Sequence, residues 1–135
     1  MNFLFLILLA LSTSLQQENN NMKPDRPLIT VSEPATTYSL STVYLETVSI
    51  VHSDTTSIIT VDGYLPESCS NLYSAAFDIE ADSLIISMKS WRPRDAMCLQ
   101  ALQPFRFIYE SDEFVKSPNL KKWIMELQEG DIIYH

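Results

Sequence analysis

Leu84-Ile85-Ile86-Ser87-Met88-Lys89 is the stretch on which the fold turns. Leu84, Ile86 and Met88 occupy every second position, with Ile85, Ser87 and Lys89 between them. A period of two sends neighbouring side chains to opposite faces, so the segment reads as a strand with one apolar face. Just upstream, Phe77 and Ile79 lie on one side of another strand, which Glu80-Ala81-Asp82-Ser83 is expected to end in a turn. Downstream, Trp91-Arg92-Pro93-Arg94-Asp95 is expected to break the strand. Cys98 is then expected to open a further strand running through Leu102 and Phe105 to Tyr109.

The same alternation extends toward the N-terminus. Val43 and Leu45 share one phase and Val48 and Ile50 the other, which predicts a bulge or bend near Glu46-Thr47. Ser53-Asp54-Thr55-Thr56 reads as a turn, Ile59, Val61 and Gly63 fall on one face, and Leu65-Pro66-Glu67-Ser68 reads as the next turn. Two glycines against seven prolines, with Ser, Thr, Val, Ile, Leu and aromatics dominant from Val43 onward, is strand composition. Short strands joined by Pro, Asp and Ser turns indicate an all-β, antiparallel sandwich or barrel. The C-terminal segment carries two patterns. Ser117-Pro118, the spacing of Leu120, Trp123, Ile124 and Leu127, and Gly130 mark a helix, whereas Trp123, Met125 and Leu127 at period two mark a strand.

The chain has 135 residues, enough for one domain, with nine Lys and Arg against seventeen Asp and Glu, for a net charge of −8. Such a surface repels phosphate backbones and anionic membranes, so nucleic acid is excluded as an expected partner. Residues 3–11 form an unbroken apolar run followed by Ser12, Thr13 and Ser14 and then a polar Gln/Asn stretch. This is the layout of a signal peptide over residues 1–14, which implies a secreted or periplasmic protein without a transmembrane span in its mature form. No cysteine follows the apolar run to accept a lipid. Residues 15–40, with Pro24, Pro27 and Pro34, read as a flexible linker in which Leu28-Ile29-Thr30-Val31 could add a short edge strand. The folded domain is expected over 41–135.

Gly63-Tyr-Leu-Pro-Glu-Ser-Cys69, Arg92-Pro93 with Asp95-Ala-Met-Cys98, and Gln100-Ala-Leu-Gln-Pro-Phe105 together resemble a family of small exported bacterial domains, often lipoproteins. That family carries the order G-x-L-P-x-x-C, R-P-x-D-A-x-C and Q-x-L-x-P-F, and the resemblance covers about two thirds of the chain, from Val43 onward. It implies an immunoglobulin-like β-sandwich, paired cysteines, a final segment that is a strand, and no known activity. This chain has Lys121-Lys122 and Gln128-Glu129 where the family has Gly and Asn-Gly. The expectation adopted for the final segment is a strand, because tertiary context overrides local helix propensity.

Cys69 and Cys98 could hold a metal or supply a reactive thiol, but an even cysteine count in an exported chain points to a disulfide. His52 and His135 lack the neighbours that zinc requires, and no metal or cofactor is expected. Asp78, Glu80 and Asp82 alternate and could gather calcium, yet read better as a solvated strand face. Without a G-x-S-x-G turn no catalytic residue is assigned, and a hydrolase using His52 is the weakest reading. Trp91, Arg92 and Arg94 are the densest group of interface-anchoring residue types and form the candidate binding site, with Arg92 also free to pair with an acid such as Asp95. The expected function is therefore a non-enzymatic exported module that binds a protein or another cell-envelope component. The alternative is a proteinase inhibitor offering residues 65–68 or 91–95.

Overall fold

The computed structural model describes residues 26–112 and 119–135. The apolar run, the expected cut after Ser14 and the Ser117-Pro118 pair lie outside them. Eight strands and no helix make up the described chain: β1 (Tyr38–Thr42), β2 (Tyr44–His52), β3 (Ser57–Leu65), β4 (Asn71–Glu80), β5 (Ser83–Pro93), β6 (Gln103–Ser111), β7 (Lys122–Met125) and β8 (Gln128–Tyr134).

Hydrogen bonding runs β1-β5-β7-β8-β2-β3-β6, with β4 on the other side of β5, so one curled sheet supplies both layers of a sandwich. The strand β8 makes the turn between layers. Its first half pairs antiparallel with β7, and Ile132, Ile133 and Tyr134 pair parallel with Val48, Ser49 and Ile50 of β2. A second parallel pairing joins Ser83–Ile85 of β5 to Lys122–Ile124 of β7, so the sheet is antiparallel except at these two places. The strands β4 and β6 form the open seam, which aromatic stacking covers: Phe77 lies 6.3 Å from Phe107 and 4.8 Å from Tyr109, centroid to centroid.

The alternation that predicts the strands is the one that fills the core. Leu84, Ile86 and Met88 are buried, as are Ile59 and Val61, Val48 and Ile50, Phe105 and Phe107, and Trp123 and Met125. Each such side chain contributes about 1.5–3 kcal/mol relative to exposure. The register of β2 with β3 slips between Leu45 and Thr47, placing the bulge at Glu46 where the apolar phase reverses. The β4–β5 turn falls at Ala81-Asp82, with Ala81 at φ 56°. Both glycines stand at close approaches. A Cβ on Gly63 would strike the Tyr44 carbonyl oxygen, and one on Gly130 would lie 2.6 Å from Nε1 of Trp123.

Three expectations are corrected, and the strand expected for the final segment is found. First, β5 does not break at Trp91 but continues through Pro93, because β1 pairs with it from Lys89 to Pro93, and a proline is tolerated at the last position of a strand. Second, no strand opens at Cys98. Residues 96–102 have no regular structure and β6 begins at Gln103, since the cystine and two bonds to Ser68 hold this segment across the end of the sandwich. Third, the chain is already packed well before residue 41. Leu28 bridges Arg106 of β6, Ile29 N–H donates to Arg106 O, and Ser32 N–H donates to Leu72 O of β4, so residues 28–32 strap the seam from one edge to the other. The final segment is strand as expected, and its local helix signals are overridden. The strands β7 and β8 form a hairpin through Glu126 (φ 55°) and Leu127, which is fully exposed, while Leu120, Trp123 and Met125 are buried. Burial of Trp123 over Gly130 outweighs the local helical spacing.

Candidate functional site

At one end of the sandwich the β3–β4 turn meets the segment between β5 and β6. Cys69 and Cys98 join them in a disulfide with a Cα–Cα distance of 5.4 Å. Around it, Ser68 N–H donates to Leu99 O at 2.9 Å, Leu99 N–H donates to Ser68 Oγ at 2.8 Å, and Gln103 Nε2 donates to Glu67 O at 2.5 Å. Arg94 N–H donates to Thr37 O at 2.9 Å, which ties the start of the segment to the residue before β1. A loop fixed at so many points loses little entropy when a partner binds it.

The structure separates the three residues expected to act together. Trp91 and Arg92 are neighbours in β5, where side chains alternate between faces. The half-buried Trp91 indole donates to Ser32 O at 3.0 Å and meets Tyr38 edge-on, so it holds the N-terminal strap in place. Arg92 pairs with Glu67, Nε to Oε2 at 3.0 Å, not with Asp95. Arg94 alone is exposed at the turn.

Sequence reasoning missed the apolar residues of the loop. Met97, Leu99 and Leu102 are 100%, 73% and 57% exposed beside Arg94. Their hydrophobicity reads as strand in the sequence, and only the cystine geometry shows that they point into solvent.

A second cluster, also unforeseen, lies on β2, β3 and β6. Arg106 donates to both oxygens of Asp62 at 2.8 and 3.0 Å. Arg26 donates to Gly63 O at 2.7 Å and Glu46 Oε2 at 2.6 Å, and its guanidinium sits 4.8 Å above the Tyr64 ring. Bonds from Tyr64 and Arg26 hold the Glu46 carboxyl below its ordinary value. Burial works against the Arg26 charge, but Tyr64 and Glu46 raise its pKa overall. The bulge aims Glu46 at Arg26, and the cluster locks the strap onto the sheet.

Neither remaining candidate assembles a reactive site. His52 Nδ1 lies 2.7 Å from Ser57 Oγ and its ring stacks on Tyr134, but Ser57 is fully buried and solvent cannot reach its hydroxyl. Asp78, Glu80 and Asp82 are exposed, and among the described residues no group of three or more His, Cys, Asp or Glu side chains could hold a metal ion.

Two curled layers with one cystine clamping an end loop define a small disulfide-stapled β-sandwich domain. The chain belongs to the ORF11 beta-sandwich domain family, whose model matches residues 59–131, more than half of its length. Comparison with curated proteins and with solved structures finds no match.

Proposed function

We propose that this chain is an exported, non-enzymatic module that binds another macromolecule in or near the cell envelope through the loop at residues 94–102. The observation that carries this reading is the pairing of rigidity with exposure: a segment clamped by Cys69–Cys98 and Ser68 presents Met97, Leu99 and Leu102 to solvent. Apolar side chains held out on a stiff loop are what a partner can bury at small entropic cost. Arg94 beside them, on a chain of net charge −8, favours a partner with a carboxylate at the rim of an apolar surface.

Export rests on the apolar run at 3–11 and the small residues after it, and a disulfide is at home in an oxidising compartment. The lipid anchor common in the family it resembles has no acceptor cysteine after the apolar run here. The immunoglobulin-like reading of the sandwich rests on its two layers and on a strand, β8, that leaves one layer for the other.

Proteinase inhibition through 65–68 or 91–95 has less support. Trp91–Pro93 is paired within β5, and Glu67 and Ser68 are tied to Gln103 and Leu99. A hydrolase using His52 would need Ser57 to be accessible.

The test is affinity capture from a native extracytoplasmic fraction on immobilised mature chain, with a partner identified by mass spectrometry. The reading expects a protein retained by the wild type and released when Arg94→Ala and Leu99→Ser are combined in a variant that still folds. Equal retention by both would contradict it.

A further inference from the structure

The edges of the curled sheet are not equally protected. Pro27 O and Ile29 N–H bond to Arg106 and so cover the edge of β6. Along β4, Ser32 N–H takes up Leu72 O, and the exposed carboxylates of Asp78 and Glu80 guard the far half. The remaining edge is β1, Tyr38-Ser39-Leu40-Ser41-Thr42, which pairs only with β5 among the described residues. It has no charged residue, no proline and no break in register. Native sheets ordinarily blunt an edge with such features, because bare N–H and C=O groups recruit another strand.

Register fixes which groups of β1 are bare. Thr37 O accepts from Arg94 N–H, so Thr37 turns its main chain to β5, and by alternation Ser39 and Ser41 do the same. Tyr38, Leu40 and Thr42 therefore turn their N–H and C=O groups away from the sheet. Pro93, which has no N–H to give, stands opposite Tyr38 in agreement with this phase. Tyr38 O and Thr42 O receive only long contacts of 3.5 Å, from Arg94 Nη2 and Ser90 Oγ. The Leu40 side chain lies opposite Trp91 on the outer face and is 49% exposed. Ser39 and Ser41 face inward beside an open cavity of about 240 Å³ and are too short to obstruct a neighbouring strand.

From this arrangement we infer that β1 docks on β1 of a second copy of this chain, antiparallel, about a two-fold axis at Leu40. Leu40 pairs with its own counterpart and exchanges both main-chain bonds, while Tyr38 of each copy pairs with Thr42 of the other. The bare positions are spaced symmetrically about Leu40, so the pattern is complementary to itself. Charge agrees with this choice of occupant. Two copies of a chain with net charge −8 repel over most of their surface, but the β1 strands meet without a charged side chain between them. The Leu40 side chains, exposed in the single copy, cover each other on the outer face. Antiparallel pairing sends the two 94–102 loops to opposite ends of the joined layer, so each copy keeps its loop free.

The experiment is sedimentation equilibrium and two-dimensional 1H–15N NMR of the oxidised mature chain from about 10 μM to about 1 mM, a range suited to a small interface. The expected result is a monomer–dimer equilibrium with a Kd on the order of 0.1 mM. Shifts at Tyr38, Leu40 and Thr42 should follow it, hydrogen exchange at Leu40 N–H should slow with concentration, and Val51, Ile58 and Ile108 on the outer face of the other layer should not move. Leu40→Lys and Leu40→Glu, at a half-exposed position, should each keep the Tm and weaken association at least about tenfold, because like charges meet at the axis. Mixing the two variants should restore association, since opposite charges then meet there. A single-chain mass at every concentration, shifts centred on Val51, Ile58 and Ile108, or no association in the mixture of folded variants would each overturn the inference. So would equal protection of Leu40 N–H at all concentrations, which would mean that another part of the same chain covers the edge. The wild-type titration decides the matter even if a variant does not fold.

Discussion

The side-chain amide of Gln128 completes the backbone around Val43, 85 residues earlier: its Nε2 donates to Val43 O, and its Oε1 accepts from Leu45 N–H, both at 2.8 Å. This is where the chain leaves β1 in one layer for β2 in the other, so two backbone groups would otherwise lack partners. Gln128→Ala is expected to cost about 1–3 kcal/mol and to lower Tm by about 5–20 °C. Thermal unfolding followed by circular dichroism checks this, and an unchanged Tm would show that solvent satisfies those groups.

Gly130→Ala should be harmful although alanine suits a strand better than glycine. The new methyl would overlap the Trp123 indole, which is 3% exposed and has little room to yield. Overpacking of this kind costs about 1–3 kcal/mol. Urea titration read by tryptophan fluorescence would show both the loss and the displaced indole. A midpoint equal to that of the wild type would contradict the placement of Trp123.

Glu46 makes stability depend on acid. Its carboxyl is held below the reference value of 4.5 by Tyr64 and Arg26. It therefore binds fewer protons folded than unfolded, so its contribution is present above pH 4.5 and is lost as pH falls through the lower folded value. Wild-type Tm should fall over that window more steeply than that of Arg26→Gln. Parallel pH profiles for the two proteins would remove Arg26 from the account of the strap.

Reduction should destabilise the domain strongly. The bridge joins residues 29 apart in sequence, and closing such a loop is worth about 3–4 kcal/mol in the chain-entropy model. Tm should drop by about 12–30 °C on reduction, and the oxidised protein should resist thiol alkylation. Two freely alkylated cysteines in native protein would exclude the bridge as the working form.

Strand positions were legible wherever burial follows a period of two, as with Leu84, Ile86 and Met88, and the phase reversal around Glu46 located the bulge. Long-range polar contacts were not. Arg26, Asp62 and Arg106 are scattered charges in the sequence, each ordinarily solvated, and only sheet register brings them together. Apolar composition misled at Met97, Leu99 and Leu102, because hydrophobicity alone does not distinguish a buried strand from side chains held outward by a cystine. Arg92 was expected to bind a partner or to pair with an acid such as Asp95, but its ion-pair partner is Glu67 of the β3–β4 turn, which only the meeting of the two loops at the sandwich end brings within reach.

The most direct test of the account compares partner affinity across two surfaces of the folded chain. Surface plasmon resonance would measure the captured partner against wild type, against Met97→Ser with Leu99→Ser on the clamped loop, and against Ile108→Ser with Ile133→Ser on the exposed face of the opposite layer. The account predicts that the loop variant keeps its Tm and loses at least tenfold in affinity, about 1.4 kcal/mol, while the face variant binds as wild type. Full affinity in the loop variant, or loss confined to the face variant, would contradict it.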